Sequence, residues 1–291
     1  MPLDPEIAAY LEAQKSLPPR SALTLDRTRA RMVESARLYG GEPQELARVE
    51  DLVIAQGIPA RDFRPTLEES PVVLYFHGGR FISGNVDSHD RLCRRLATAS
   101  GHRVIAVDYR LAPEHRFPAA VEDALAAADW ATSRFERVAV AGDSAGANLA
   151  AMVAAERRSK ISSQVLIYPM IDATRSLPSH REFANGPGPS STDMQRGWDE
   201  YLPGGVAPRT PTLSPFFRKD LENLPPSMVI TAEFDSLRDE GEYYAEAMGL
   251  ARNPVELKRC LGAIHGFVTL TGVSRLARDT VDDIGAYLRR V

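Results

Sequence analysis

The chain has 291 residues, which is enough for one large α/β domain or for two smaller domains. Apolar residues make up 44% and charged residues 25%, a globular composition that excludes a disordered, collagen-like or coiled-coil chain. With 35 basic and 39 acidic side chains the net charge is -4 and no long run has one sign, so we expect neither a nucleic-acid nor a membrane partner. No apolar stretch approaches about 18 residues and no signal peptide is visible, which predicts a cytoplasmic protein.

The chain contains two cysteines, Cys93 and Cys260. Two are too few for a disulfide framework or a four-sulfur metal site. We expect each to occupy an ordinary, partly buried position.

The first elements in chain order are two predicted helices, over residues 5–15 and 24–39. Pro5 suits the first position of a helix, and the glycine pair at 40–41 is a stop signal. The segments VEDLVIAQ and IPARDFRP then flank Gly57 and predict a hairpin. The sheet is therefore expected to open with antiparallel strands.

Five short apolar runs follow, and Ala-rich or amphipathic stretches separate most of them. The runs are VVLYF at 72–76, VIAVDY at 104–109, VAVAG at 138–142, VLIY at 165–168 and MVIT at 228–231. Strands without polar alternation are covered on both faces. We therefore predict an α/β fold with a mostly parallel sheet between two helical layers and right-handed crossovers.

The interval between the fourth and fifth runs breaks this rhythm. It is too long for one crossover and too rich in proline and glycine for one helix. We interpret residues 173–212 as an insertion above the sheet. Its aromatic side chains either line a pocket or hold the insertion together, and they are Phe183, Trp198 and Tyr201.

The sharpest chemical signal is GDSAG at 142–146, which follows an apolar run and precedes the helix-forming stretch ANLAAMVAAERR. In this strand-to-helix context the motif is typical of a nucleophile elbow, where small residues two positions before and after the serine allow a tight turn. The pattern therefore predicts that Ser144 is a nucleophile, rather than part of a glycine turn that serves packing alone.

A serine hydroxyl is a weak nucleophile at neutral pH, so it needs a base that is held by an acid. In hydrolases with this elbow the acid and then the histidine follow the serine. Only His180 and His265 follow it here, and His265 is the better candidate because His180 falls in the irregular insertion. Asp235 follows MVIT at a strand end and is the predicted acid. The alternative, Asp239, lies where a helix would begin.

Charge that develops on a substrate carbonyl needs backbone N–H donors, which form an oxyanion hole. The Gly-rich HGGR segment leaves the strand VVLYF at the position from which such donors come in hydrolases with a nucleophile elbow. The predicted donors are Gly78, Gly79 and Arg80 from this loop and Ala145 from the elbow. His77 is expected to fix the loop by a hydrogen bond rather than to act as a second base.

Together these motifs resemble the hormone-sensitive-lipase-like (family IV) carboxylesterases of the α/β-hydrolase fold. The resemblance runs in order from about residue 70 to the C-terminus through HGGRFISGNVDSHD, DYRLAPEHRFPAAVEDALAAADW, GDSAGANLA, EFDSLRDEGEYYA and IHGF. It implies a triad of Ser144, Asp235 and His265, with oxyanion donors from Gly79, the residue at 80 and Ala145.

The resemblance also implies how the chain is divided. Residues 1–45 and the insertion 173–212 would form a cap over the acyl pocket. Residues 46–172 and 213–291 would form the catalytic α/β-hydrolase domain.

The residues and the resemblance predict a serine esterase that hydrolyses short-chain carboxylic esters through an acyl-enzyme. Its partner would be a small-molecule ester, and no metal or organic cofactor is expected. The same triad permits hydrolysis of an amide or a lactone, because specificity depends on pocket shape. A non-catalytic receptor on this fold is a further alternative, which His265 disfavours because such receptors lack the catalytic histidine. A monomer and a homodimer both fit the sequence.

Arg80 departs from the pattern, since the family has HGGG where this chain has HGGR. An arginine in left-handed geometry costs about 1–2 kcal/mol, so we expect a negative φ there. The side chain points either outward to a surface carboxylate or inward to the pocket mouth. In the inward orientation it would favour esters that carry a negative charge.

Overall fold

The computed structural model describes residues 2–18 and 22–291. The strands in these ranges are β1 (Arg48–Ile54), β2 (Ile58–Arg64), β3 (Val72–Phe76), β4 (Arg103–Val107), β5 (Val138–Asp143), β6 (Ser163–Ile167), β7 (Ser227–Phe234) and β8 (Val255–Ile264). The α-helices are α1 (Pro5–Gln14), α2 (Leu25–Tyr39), α3 (Asp90–Ser100), α4 (Ala119–Thr132), α5 (Ala145–Glu156), α6 (Pro178–Glu182), α7 (Ser191–Tyr201), α8 (Arg238–Leu250) and α9 (Arg275–Arg290).

The strands form one sheet in the order β1, β2, β4, β3, β5, β6, β7, β8. β1 and β2 make the predicted antiparallel hairpin, and β2 pairs antiparallel with β4. Every later pair is parallel. The predicted mostly parallel α/β architecture is confirmed, and the carboxyl ends of β3, β5, β7 and β8 lie at one edge of the sheet.

Both faces of the sheet are buried because successive strand residues alternate between two apolar layers. In β3, Val72, Leu74 and Phe76 face a layer that includes α4, α5 and α8. Val73 and Tyr75 face the opposite layer, which includes α3, α9 and the inner side of α1. This explains why the central strands read as continuous apolar runs.

Local capping sets the starts of the terminal helices. The Asp4 carboxylate accepts hydrogen bonds from two backbone N–H groups of α1, and Pro5 takes the first helical position, as predicted. The Ser274 hydroxyl caps α9 in the same way. No helix of the described residues is long and apolar enough to cross a membrane.

The two segments that the sequence analysis assigned to a cap contain separate helices. The segment 1–45 contributes α1 and α2, and its residues 1 and 19–21 lie outside the described residues. The insertion 173–212 contributes α6 and α7. Both cysteines are free, and they are fully buried in α3 and β8 rather than partly buried as expected.

Candidate active site

Ser144 lies in the turn between β5 and α5. Its backbone has a φ of 54° and a ψ of -118°, a strained conformation typical of a nucleophile elbow. The turn needs small neighbours, because a Cβ on Gly142 would lie 2.7 Å from the Phe76 oxygen and one on Gly146 would lie 2.6 Å from the His77 oxygen. The elbow therefore packs directly against the strand that leads into the HGGR loop.

Ser144, His265 and Asp235 come into contact although they are distant in sequence. Ser144 Oγ lies 3.0 Å from His265 Nε2, and His265 Nδ1 lies 2.8 Å from Asp235 Oδ2. The other oxygen of Asp235 accepts a hydrogen bond from the Leu237 N–H at 2.9 Å. The histidine follows β8 directly and the aspartate follows β7 directly, so two neighbouring strand ends hold the base and the acid. The three side chains thus lie in the order that a nucleophile, a base and an orienting acid require.

The alternative base and acid are engaged elsewhere. His180 Nε2 lies 2.9 Å from Glu240 Oε1, and both side chains are buried. Asp239 accepts a hydrogen bond from the Ser179 N–H at 2.8 Å, which fixes α6 against the start of α8. Neither residue contacts Ser144 in the described structure.

The HGGR loop lies beside the elbow, but one of its amides is already engaged. The Gly78 N–H donates to Asp143 Oδ1 at 2.9 Å, so the prediction of Gly78 as an oxyanion donor is wrong. The N–H groups of Gly79 and Ala145 have no acceptor among the described residues. These two amides are therefore available to donate to a substrate oxygen. Arg80 is the next residue of the loop after Gly79.

A buried polar cluster behind the loop was not found by the sequence reasoning. Tyr75 donates its hydroxyl hydrogen to Asp143 Oδ1 at 2.8 Å, and His89 Nε2 lies 3.1 Å from the same oxygen. Burial alone would raise the pKa of Asp143, but the His89 ring and the hydrogen bonds from Tyr75 and Gly78 outweigh it and lower that pKa. Asp143 is therefore an ionised carboxylate that anchors the loop, and its place inside GDSAG is the one sequence signal for it.

His77 fixes the loop, as predicted. Its Nδ1 lies 2.9 Å from the Gly78 oxygen, and its ring stacks on Tyr109 with centroids 4.3 Å apart. Burial lowers the pKa of His77 to about 3, so the ring is neutral and is a poor base.

A cavity of about 590 Å³ opens over Ser144. Gly79, Ser144 and His265 lie in its lining, together with Leu11 of α1 and Met32 of α2. The stretch from 185 to 194 of the insertion contributes most of another wall. No group of three or more His, Cys, Asp or Glu side chains in the described ranges could hold a metal ion.

A family model for the alpha/beta hydrolase fold matches residues 73–269. The chain is 38% identical to the carboxylic ester hydrolase LipN of Mycobacterium tuberculosis over 86% of this chain and 73% of that protein. It is 34% identical to an ethyl acetate hydrolase of Pseudomonas putida over 94% of each chain. A solved structure, the hyperthermophilic esterase of the archaeon Pyrobaculum calidifontis, superimposes with a TM-score of 0.93 at 39% identity, covering 100% of this chain and 99% of that one.

The chain belongs to the hormone-sensitive-lipase-like carboxylesterases of the α/β-hydrolase fold. The predicted family, fold class and enzyme class are confirmed, and the protein is a carboxylic ester hydrolase. The relatives named above are enzymes rather than receptors.

Arg80 distinguishes this carboxylesterase from the family pattern, and its backbone was predicted wrongly. Its φ is 59°, in the left-handed region. The cost of about 1–2 kcal/mol remains, but tertiary contacts offset it. The side chain turns toward the insertion, where Nη1 donates to the backbone carbonyl oxygen of Asp193 at 3.0 Å, and it is 11% exposed. The orientation is therefore inward, toward α7.

The aromatic residues of the insertion pack against Phe81, which follows the HGGR loop, and against the end of β7, and none of them lines the cavity. Phe81 stacks on Tyr201, and Trp198 lies beside both rings. Phe183 instead packs edge-on against Phe234 at the end of β7. Of the two roles considered, these side chains hold the insertion in place.

The half-buried Asp108 beside His77 predicts a pH effect on the stability of the esterase. Burial raises the pKa of Asp108 from 3.8 to about 6, and the nearby Asp87 carboxylate adds to the rise. Between pH 3.8 and about 6, Asp108 keeps its proton in the folded state but has lost it in the unfolded chain. This proton binding stabilises the folded state at low pH, and the stabilisation is lost as the pH rises through about 6. We expect Asp108→Asn to be more stable relative to the wild type at about pH 8 than at about pH 4.5. Urea unfolding at both pH values measures the difference, and a difference that does not change with pH would contradict the assignment.

Proposed function

We propose that this enzyme hydrolyses short-chain carboxylic esters through an acyl-enzyme on Ser144. The observation that carries the proposal is the continuous set of contacts from Ser144 Oγ through His265 to Asp235, at 3.0 and 2.8 Å. This arrangement lets His265 take the proton of the Ser144 hydroxyl as the hydroxyl oxygen attacks a carbonyl carbon.

Each step follows from the positions of these groups. Ser144 Oγ bonds to the ester carbonyl carbon while His265 Nε2 takes the hydroxyl proton. The carbonyl oxygen becomes an oxyanion, and the backbone N–H groups of Gly79, Arg80 and Ala145 stabilise it. The intermediate then expels the alkoxide, which takes the proton from His265 and leaves as the alcohol.

Deacylation repeats the sequence with water. His265 removes a proton from the water as its oxygen attacks the acyl carbon. The second oxyanion occupies the same site, and collapse returns the proton to Ser144 and releases the carboxylic acid. Asp235 keeps the Nδ1 proton of His265 in place throughout and stabilises the imidazolium.

The cavity supports a small acyl group. We propose that α1, α2 and the insertion act as a cap, because residues from all three line the cavity above Ser144. The ethyl acetate hydrolase among the relatives also supports a short acyl chain.

A cytoplasmic location, a monomer or homodimer, and the absence of nucleic-acid and membrane partners stay predictions from the sequence.

We expect the best substrates to have about two to six acyl carbons, because each added methylene gains about 0.8 kcal/mol only while the cavity can bury it. A series of p-nitrophenyl esters of increasing acyl length measures kcat/KM for each length. Efficient hydrolysis of long-chain triglyceride emulsions would contradict the proposed chain-length limit.

The same assay includes amides and lactones of matched acyl size. Turnover of the esters well above that of both analogues would support ester hydrolysis as the main activity. Faster turnover of an amide or a lactone would instead assign the triad to that bond.

A further inference from the structure

The oxyanion loop follows a backbone path that side chains rarely allow. Gly79, Arg80 and Phe81 have φ values of 132°, 59° and 62°. Two successive residues with side chains therefore lie in the left-handed region, which L-residues avoid. Such a path persists only where the surrounding structure holds it.

One face of α7 supplies part of that support. Phe81 is fully buried and stacks on Tyr201 with ring centroids 3.9 Å apart, while the Trp198 ring lies 5.6 Å from it. Arg80 lies against the same helix, with Nη1 at 3.0 Å from the backbone carbonyl oxygen of Asp193 and at 3.9 Å from its carboxylate Oδ1. Trp198 lies three positions before Tyr201, and Asp193 lies eight positions before it, so Tyr201 shares a side of the helix with each of them.

Gly197 allows the arginine to approach this closely. A Cβ on Gly197 would lie 2.6 Å from Arg80 Cβ and 3.2 Å from the Arg80 carbonyl oxygen. Glycine weakens a helix interior. The close contact with Arg80 therefore explains why a glycine occupies position 197 inside α7.

The segment that leads into α7 also reaches the catalytic base. A Cβ on Gly188 would lie 3.4 Å from His265 Cβ. Asp193, five residues later, contacts Arg80. This short stretch thus spans the active site from the histidine to the oxyanion loop.

We propose that the Arg80 side chain is a positioning group, which holds the oxyanion loop in its left-handed conformation by anchoring it to the first turn of α7. The inference rests on the ester hydrolysis proposed above, in which N–H groups of this loop bind the oxyanion. The Asp193 oxygens engage the guanidinium, so Arg80 acts on the transition state of neutral and carboxylate-bearing esters alike.

Three variants of Arg80 separate the anchor from the backbone conformation. Arg80→Met removes the N–H donors and keeps an unbranched stem in a left-handed position. Arg80→Gly removes the anchor but adopts positive φ without strain. Arg80→Lys keeps one donor for the Asp193 oxygen.

Removal of one oxyanion donor costs about 100- to 1000-fold in kcat, so a misaligned loop should cost less. We expect Arg80→Met to lower kcat by at least about tenfold with KM within about twofold. Arg80→Gly should lose less than Arg80→Met, and Arg80→Lys should recover part of the loss. A neutral ester and a carboxylate-bearing ester should show the same ratios to the wild type.

Inhibition by a short trifluoromethyl ketone provides a readout that a structural role alone would not change. Ser144 adds to its carbonyl and the resulting oxyanion occupies the oxyanion hole. We expect the inhibition constant of Arg80→Met to rise in parallel with the loss of kcat/KM, because both depend on the loop N–H groups.

A second pair of variants tests the contact from the helix side and does not depend on the folding of the Arg80 variants. Gly197→Ala places a methyl group against Arg80 and should lower kcat, although alanine favours a helix. Asp199→Ala, on the exposed side of the same helix, is the matched control and should retain wild-type turnover.

Three results would contradict the proposed positioning role of Arg80. The first is a kcat within about twofold of the wild type in both Arg80→Met and Gly197→Ala, because this change is too small for a displaced donor. The second is an effect on the carboxylate-bearing ester alone, which would assign Arg80 to charge recognition. A fall in kcat without weaker ketone inhibition would also exclude the loop as the affected part. Loss of esterase activity in Ser144→Ala tests the proposed function separately, since every Arg80 result is a ratio to the active wild type.

Discussion

Ser144→Ala is expected to lower turnover of a short ester by several powers of ten, because no acyl-enzyme can form without the hydroxyl. The fold should remain intact. At a φ of 54° the backbone strain of alanine is about the same as that of serine. The substitution removes only the hydrogen bond with His265 at 3.0 Å. Steady-state kinetics measure the first effect, and thermal unfolding with circular dichroism measures the second.

Ser133→Ala is a suitable control, because this serine is exposed at the end of α4. It should retain wild-type turnover. A fluorophosphonate should label the wild type and Ser133→Ala but leave Ser144→Ala unmodified. Near-native turnover in Ser144→Ala would mean that another residue attacks the ester.

Asp235→Asn should lower kcat by about four powers of ten. An amide at this position can donate to His265 Nδ1, which favours the tautomer with the proton on Nε2 and removes the lone pair that the base needs. The Leu237 N–H can still donate to the remaining side-chain oxygen, so the loop after β7 should keep its shape. Kinetics with the same short ester measure the loss.

Asp239→Asn is the matched comparison, four residues further along the chain. Its carboxylate accepts hydrogen bonds from Ser179 and Arg238 and does not contact His265 in the described structure. We expect lower thermal stability with kcat near the wild-type value. If Asp239→Asn lost more activity than Asp235→Asn, the assignment of the acid would be reversed.

The sequence contained enough information to predict the sheet and the proximity of Ser144, His265 and Asp235, for a physical reason. Parallel strands place their carboxyl ends at one edge, so polar residues directly after β5, β7 and β8 must lie near one another. An apolar run followed by a characteristic turn is a local pattern. These assignments therefore needed no knowledge of tertiary contacts.

The errors arose where the conformation depends on distant residues. Gly78 was expected to donate to substrate, yet its N–H is bound by Asp143, whose orientation depends on Tyr75 and His89. Arg80 was expected to avoid positive φ, and local energetics support that expectation. Its contact with Asp193, 113 residues away, decides the outcome. Neither pairing has a signature within a short window of sequence.

The strand order has a consequence for assembly of the enzyme. The hydroxyl and the imidazole that must meet are 121 residues apart, one beside β5 near the centre of the sheet and the other after β8 at its edge. Contacts of such long range form only once the intervening chain has closed, which is characteristic of slow-folding topologies. A nascent or truncated chain that ends before β8 therefore holds the elbow and the oxyanion loop but no base. Hydrolytic activity is consequently a property of the whole sheet, acquired when its last strand docks.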